Sequence, residues 1–144
     1  QAPQLSDGYG SISFSHCNDA LLIGWGLKKL GVDLERGDRS IEGKLIANKY
    51  FSQEEQKTLS CLKSQALDKK VLEMWISKEA SIKWQQGSIS NDLRKWHIEN
   101  KSSLAIHKSL GYKLSVNLIK HKDWIIGVAY ESKQNNFEPT LCIM

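Results

Sequence analysis

The sequence is poor in cysteine and proline, and it has no long hydrophobic run. Its three cysteines, Cys17, Cys61 and Cys142, are an odd number at wide spacing without a CxxC pair, which excludes a disulfide framework. The two prolines, Pro3 and Pro139, lie near the ends, so no proline-rich linker divides the chain. No stretch approaches the roughly 18 consecutive apolar residues of a membrane helix. These absences predict a cytoplasmic protein with reduced thiols and no membrane partner.

The charge of the chain is only mildly positive. Its 20 Lys and Arg residues against 16 Asp and Glu residues give a formal net charge of +4. Nucleic-acid binders usually concentrate more positive charge in one stripe, so we expect no nucleic-acid partner. A mild excess of cations instead favours a small anionic ligand or an acidic protein partner.

The composition predicts a single folded domain over residues 1–144. Hydrophobic residues make up 40% and charged residues 25% of the chain, which is typical of globular proteins. We expect the tail, residues 131–144, to be a loop. The chain begins with Gln1 and not with Met, which leaves trimming, processing and a longer parent protein open.

Strand patterns come in two groups, separated by a helical segment. The first three strands are expected at residues 9–16, 20–26 and 29–35. Helices should follow over residues 41–50, after the capping box of Ser52 and Glu55, and over residues 66–86. Four more strands are expected at residues 95–99, 103–107, 112–119 and 124–130. Because the helices and strands are grouped, the sequence predicts an α+β fold with a mixed or antiparallel sheet packed against the long helix.

Asp33 and Glu35 are the first candidate site residues. They lie two apart on the third predicted strand, which points both carboxylates to one face. Two like charges this close repel unless a cation or water separates them. Magnesium commonly takes one or two carboxylates together with substrate phosphates. The pair is therefore a candidate metal site, and an ordinary solvated strand face is the alternative.

The long helix carries a second pair, Glu79 and Lys83. Both continue a row, four residues apart, that begins with the apolar residues Leu67, Val71 and Trp75, and the neighbouring row is also mostly apolar. These two rows should face the sheet. Charges rarely occupy such positions unless they are paired or bind an ion. The alternative is a simple i,i+4 salt bridge between Glu79 and Lys83.

Three further polar residues lie close to these pairs in the sequence. Lys78 is about 100° around the helix from Glu79, so we expect it at the rim of the same site. Ser15 and His16 end the first strand, where a hydroxyl and an imidazole can both donate to a phosphate. A structural or surface histidine is the alternative for His16. The presence of a glutamate at position 55 is sufficiently explained by its role in the capping box.

Three ordered motifs together resemble one family. GVDLE (31–35), FSQEE (51–55) and WISKEASIK (75–83) follow the order and spacing of the 4'-phosphopantetheinyl transferases. The pattern WxxKEAxxK is the most specific of them. The preceding ISFSH (12–16) looks like the Ser-His strand of the larger, surfactin-synthetase-activating type, whose C-terminal half the chain resembles.

The resemblance implies a reaction and a set of residue roles. Such enzymes move 4'-phosphopantetheine from coenzyme A to a serine of an acyl or peptidyl carrier protein and release 3',5'-ADP. By similarity, Asp33, Glu35 and Glu79 would hold Mg²⁺ against the pyrophosphate, with Glu79 and Lys83 as the catalytic residues. The serine proton would pass to Glu79 or to a metal-bound water. The phosphates of coenzyme A would be contacted by Ser15, His16, Lys78 and Lys83.

Two departures from the family pattern are visible. Larger relatives contain two similar halves with the active site between them, and here only the residues before Ile12 precede the Ser-His strand. Either the chain is a fragment, or it self-associates as a homodimer or homotrimer to complete the cleft. Small relatives are trimers, but their DxE motif lies near the N-terminus, whereas here a hairpin precedes it. The second departure is Cys17, where a small residue such as Ser or Gly is commoner.

Two other functions stay open beside the transferase. One is a non-catalytic module of the same fold that binds coenzyme A or a carrier protein, and the shortened first half is the reason to consider it. The other is a structural α+β domain whose charges form surface pairs. The net positive charge agrees with an acidic carrier protein as the partner. Fatty-acid, polyketide, peptide and lysine metabolism all remain open as pathways.

Overall fold

A computed structural model describes residues 2–99, 101–133 and 138–144. The first three strands are β1 (Ser11–Cys17), β2 (Ala20–Gly26) and β3 (Leu30–Arg36). Four helices follow, α1 (Gly43–Tyr50), α2 (Gln53–Leu59), α3 (Ser64–Gln85) and α4 (Ile89–Asp92). The last strands are β4 (Trp96–Ile98), β5 (Leu104–His107), β6 (Lys113–His121) and β7 (Trp124–Glu131). None of the helices in these ranges is long and apolar enough to cross a membrane.

The strands form two antiparallel sheets, and the predicted α+β class is confirmed. Five strands make the larger sheet in the order β3-β7-β6-β5-β4, while β1 and β2 pair as a separate hairpin. In the larger sheet, Asp33 of β3 lies opposite Gly127 of β7. The strand that carries the candidate carboxylates is therefore an edge strand of this sheet.

The long helix α3 packs across the larger sheet through its apolar rows. Ile76, Ala80 and Trp84 are buried, as the helical periodicity predicts. The helix comes close to β3 because residue 31 is a glycine: a Cβ there would collide with the carbonyl oxygen of Ala80 and the amide of Trp84. Gly127 of β7 likewise leaves room for Ile76, whose Cγ2 would lie 2.6 Å from an added Cβ. This close approach puts one row of α3 directly beside β3.

The hairpin lies along the outer edge of β3 and bonds to it through serine hydroxyls. The backbone amide of Val32 donates to Ser13 Oγ, and that of Leu34 donates to Ser15 Oγ, both at 3.0 Å. Edge-strand amides need such acceptors when they are buried, and here side chains supply them in place of a backbone ladder. Ser15 is thereby fixed next to Asp33.

The observed elements lie within two residues of the predicted bounds; the start of the third helix, at Ser64 and not at 66, is one such difference. Among the described residues, the short helix α4 is the element that was not predicted. In the tail, residues 138–144 have neither helix nor strand, and residues 134–137 lie outside the described residues. The single-domain reading of residues 1–144 stays a prediction.

Candidate functional site

The three predicted carboxylates lie together between β3 and α3. One carboxylate oxygen from each of Asp33, Glu35 and Glu79 lies within 4.8 Å of the other two. Asp33 is buried, and Glu35 and Glu79 are half-buried. Alternation along β3 turns Asp33 and Glu35 toward the helix, where Glu79 continues the buried row of α3. We call these three residues the carboxylate cluster.

Asp33 is the most enclosed member of the cluster. Its Oδ1 accepts from Lys83 Nζ at 2.9 Å and from Ser15 Oγ at 3.1 Å. Its Oδ2 is buried and has no hydrogen-bond partner among the described residues. A buried carboxylate oxygen without a partner is costly unless a ligand or ion completes it.

Lys83 connects the helix to the strand. Its ion pair is with Asp33, 50 positions away in the sequence. The simpler alternative was an i,i+4 salt bridge between Lys83 and Glu79, but the recorded ion pair of Lys83 is with Asp33. Lys83 is about one-third exposed, so its ammonium group remains accessible to a ligand.

The carboxylates of the cluster strongly influence one another. The pKa of Glu79 is raised to about 8. Burial is the main cause, followed by the charge of Asp33 and a hydrogen bond with Asp33, while Lys83 opposes the shift and Glu35 adds to it. Three carboxylates face two cations, Lys83 on Asp33 and Arg39 on Glu35, so an excess of negative charge remains that a further cation would neutralise.

The donor set of the cluster fits a hard divalent cation. Mg²⁺ prefers carboxylate oxygens and keeps positions for water and phosphate. The buried Oδ2 of Asp33 lacks a partner among the described residues, and the charges of Asp33 and Glu35 add to the effect of burial in raising the pKa of Glu79, so a cation would be stabilised here. Asp33, Glu35 and Glu79 are therefore the residues that could hold the ion, and Lys83 could contact an anion bound beside it.

Ser15 and His16 occupy different sides of β1. Ser15 is buried between Asp33 and the amide of Leu34. His16 is exposed, on the opposite face of the strand. The structure thus brings Ser15 to the carboxylate cluster and leaves His16 on the outer face of the hairpin. A contact between His16 and a phosphate stays a prediction.

The expected position of Lys78 at the rim of the site is wrong. Its side chain is fully buried on another side of α3, where Nζ donates to Glu55 Oε1 at 2.7 Å, to Leu93 O at 2.9 Å and to Trp96 O. Glu55 also accepts from the amide of Ile98 at 3.1 Å. The roughly 100° rotation from Glu79 turns Lys78 toward α2 and β4 and away from β3.

The buried lysine and glutamate form a structural pair. Glu55 is part of a complete capping box with Ser52, as predicted, but its carboxylate also holds Lys78. Burial lowers the pKa of Lys78, and the charge of Glu55 and its hydrogen bond oppose that shift. The capping box was a sufficient local explanation for Glu55, so nothing in the sequence pointed to this second contact.

Two cations in the segments before and after β3 were not singled out by the sequence. Arg39, in the turn after β3, pairs with Glu35 through Nη1 and Oε2 at 2.9 Å. Lys29, just before β3, lies with its Nζ 4.3 Å from the ring centroid of Trp84. Turns have no regular pattern of side-chain directions, so a functional charge in a turn looks like any other surface charge. The only sequence signal for Arg39 was its position four residues after Glu35.

Cys17, at the end of β1, is half-buried, and its thiol donates a hydrogen bond to Leu34 O at 3.3 Å. The pKa of this thiol is raised, mainly by burial and then by the charges of Glu35, Asp33 and Asp19. A raised pKa disfavours the nucleophilic thiolate. The cysteine therefore packs beside the site and is not suited to attack a substrate.

Clustered carboxylates beside a lysine are typical of enzymes that transfer phosphate-containing groups with a metal ion. A family model, that of the 4'-phosphopantetheinyl transferase superfamily, matches residues 29–129 of the chain. The match contains the carboxylate cluster and Lys83, whereas Ser15 and His16 precede it. The chain belongs to this superfamily and is a transferase of its type. No curated protein matches the chain significantly.

Proposed function

We propose that the chain transfers 4'-phosphopantetheine from coenzyme A to a serine of an acidic acyl or peptidyl carrier protein, with Mg²⁺, releasing 3',5'-ADP. The observation that carries this proposal is the carboxylate cluster, with Lys83 bonded to Asp33 beside it. Family membership supports the reaction type. The coenzyme, the ion and the carrier belong to the proposal.

The reaction breaks a phosphoanhydride bond of coenzyme A and forms a phosphate ester bond to the carrier serine. The carrier serine oxygen forms a bond to the phosphorus that bears pantetheine, and the bond from that phosphorus to the bridging oxygen breaks. The bridging oxygen leaves with the electron pair as part of 3',5'-ADP. The serine proton needs an acceptor, for which Glu79 is the candidate. When bound, Mg²⁺ supplies a Lewis acid that polarises the phosphate oxygens.

Each residue of the site has a distinct task in this proposal. Asp33, Glu35 and Glu79 would hold the ion. Lys83 donates to the phosphate oxygens on which charge accumulates, which is most effective when the donor is already in position. Ser15 orients Asp33 through its 3.1 Å hydrogen bond and, in this structure, has its hydroxyl engaged there.

Self-association would complete the cleft, and we propose it as part of the same function. The outer face of β2 exposes Leu21, Ile23 and Trp25, whose exposed fractions are 64%, 50% and 60%. Neighbouring apolar side chains of this size are commonly covered by protein. A second copy on this face would make a homodimer or homotrimer, which light scattering would detect. A monomer at all concentrations would contradict this part of the proposal.

The transfer itself is tested with a panel of apo carrier proteins. The chain, Mg²⁺ and coenzyme A should increase the mass of a carrier serine by one phosphopantetheine group. Glu79→Gln should abolish labelling while circular dichroism shows an intact fold. Full labelling by this variant would contradict the role of Glu79. Binding of coenzyme A without transfer to any carrier would favour the non-catalytic module instead.

A further inference from the structure

Strand β6 is fully paired on one side and only partly paired on the other. Its register with β7 covers residues 114–121, whereas its register with β5 covers only residues 113–115. One further backbone bond on the β5 side joins the amide of Val116 to Ser103 O at 2.8 Å. Among the described residues, β6 therefore has a free edge over residues 117–121.

The edge is free because the chain leaves β6 at Ser103. The φ of this residue is +51°, which lies in the left-handed region and ends the extended backbone of β5. Backbone N–H and C=O groups point alternately to the two sides of a strand. Since Val116 donates to the β5 side, the backbone groups of Leu118 and Lys120 point there too. Within the described ranges, neither residue has a recorded backbone partner on that side.

A groove of about 570 Å³ adjoins this edge. Residues 116–119 of β6 form one wall, and α3 contributes Glu73, Met74 and Ser77. The end of β4 and the start of β5 close the groove where β5 would have continued. The carboxylate cluster does not line it, and β7 separates β6 from β3 in the sheet. The groove is therefore distinct from the candidate metal site.

The groove is acidic, although the chain has a net charge of +4. Three glutamates line it, Glu73, Glu99 and Glu138, together with one lysine, Lys70. Glu73 is paired with Lys120 at 3.4 Å. No ion pair is recorded for Glu99 or Glu138 among the described residues. The groove therefore complements a positively charged ligand and disfavours an acidic one.

Apolar side chains lie along the same edge. Met74 of α3 and Val116 of β6 are buried, and Leu118 is 36% exposed. Val116 and Leu118 are two residues apart, so they project to the same face of the sheet. A strand added to this edge would place every second side chain beside them. A ligand with alternating basic and apolar residues would match both the charge and the apolar surface.

We propose that the free edge of β6 binds an extended, positively charged segment of a partner protein by strand addition. The segment continues the line of β5, runs antiparallel to β6 and exchanges backbone hydrogen bonds with Leu118 and Lys120. At about 3.4 Å per residue, the edge spans roughly 17 Å and accommodates about five residues. Such a partner is opposite in charge to an acidic carrier protein, and the inference does not rest on the proposed transfer.

The first test measures whether the backbone of the ligand is used. The probe is a fluorescein-labelled octapeptide of alternating lysine and valine, added to the full chain at about 0.15 M salt and followed by fluorescence anisotropy. Antiparallel pairing to one strand uses the donors of every second residue. Methylating the backbone nitrogens of one alternate set should therefore abolish binding, while methylating the other set should leave it unchanged. Equal effects of the two methylations, or no binding of the unmethylated peptide, would overturn the proposal.

The second test measures the contribution of the groove's charge. Glu99→Lys should weaken binding of the peptide about 10-fold, because an attraction is replaced by a repulsion. Glu42→Lys is the matched control, since it makes the same charge change at an exposed residue outside the groove. It should leave the Kd nearly unchanged, and thermal melting shows that both variants are folded. Equal weakening by the two variants would mean that the peptide responds only to net charge, which contradicts the proposed site.

Amide hydrogen exchange then locates the bound peptide. The amides of Leu118 and Lys120 should exchange rapidly in the free chain and slowly with the peptide present. The amide of Ile119 points to β7 and should be protected in both states, which makes it the internal control. Protection of Leu118 and Lys120 in the chain alone, increasing with its concentration, would show that a second copy occupies the edge and would overturn the proposal.

Discussion

Lys83 Nζ lies 2.9 Å from Asp33 Oδ1, so the long helix and the edge strand are joined at the candidate site by an ion pair between distant parts of the chain. The contact has two consequences. It holds Asp33 with its Oδ2 unpartnered, and it keeps a lysine beside the carboxylate cluster. Both groups can therefore act on a ligand without rearranging the backbone.

Replacing Lys83 should impair transfer more than binding of the carrier. We expect Lys83→Met to lower kcat by about 10²- to 10³-fold, because one prepositioned donor to the developing charge is lost. The KM for the carrier protein should change little. Steady-state labelling kinetics provide the measurement, and Lys69→Met, on an exposed part of the same helix, is the control. An unchanged kcat in Lys83→Met would rule out the catalytic role.

Magnesium should stabilise the protein more as the pH rises. The pKa of Glu79 is raised from 4.5 to about 8, so the ion-free fold has its full stability contribution from this group below pH 4.5 and loses it as the pH rises through 8. A cation bound by the ionised carboxylates offsets that loss. Melting temperatures across this window should rise with Mg²⁺ by on the order of 5 °C at its upper end and less at its lower end.

The control for the magnesium effect is Glu79→Gln. This variant removes both the titrating group and one oxygen ligand, so its melting temperature should depend less on pH and respond weakly to Mg²⁺. A magnesium effect of the same size in the variant would mean that the ion binds elsewhere.

Lys78 should matter for stability and not for ligand contact. Lys78→Met leaves the buried carboxylate of Glu55 without its cation, which typically costs about 3–5 kcal/mol. Urea unfolding should show this loss, whereas Lys69→Met should cost less than about 0.5 kcal/mol. A Lys78→Met variant as stable as the wild type, but with weaker coenzyme A binding, would instead support a contact between Lys78 and the phosphates of coenzyme A.

Gly31 sets the distance between β3 and α3. Gly31→Ala places a methyl group against the backbone of Ala80 and Trp84, neither of which can move without displacing the helix. We expect a loss of stability on the order of 1–3 kcal/mol together with weaker Mg²⁺ binding, measured by calorimetry. Gly111→Ala is the comparison, because its backbone has a φ of +72° but nothing lies within 4 Å of the added carbon. The Gly111→Ala variant should be less stable than the wild type but bind Mg²⁺ with unchanged affinity.

Most of the fold could be predicted from periodicity, because the strands and long helices have alternating or four-apart apolar residues. The helix α4 has only four residues, too few to produce a periodic pattern. The carboxylate cluster was predictable for a similar reason: strand alternation orients Asp33 and Glu35, and the buried row of α3 orients Glu79. The family match over residues 29–129 includes these positions in its range.

The contacts that could not be predicted depend on which elements become neighbours. Lys78 does not belong to the apolar row that faces β3. Its contacts depend on the packing of α2 and β4 against its side of α3, which the sequence of the helix does not reveal. Lys83 could bond within its own helix or across to Asp33, and sequence spacing alone favours neither. Lys29 became notable only when Trp84 was placed beneath it.

The serine hydroxyls along β3 make the site sensitive to a strand slip. Ser13 and Ser15 face β3, while Ile12, Phe14 and His16 face away from it. A shift of β1 by one residue would exchange these two faces. Two buried amides and Asp33 would then lose their hydroxyl partners at the same moment. Correct alignment of the hairpin during folding is therefore a condition for assembling the carboxylate cluster, although the hairpin contributes no carboxylate to it.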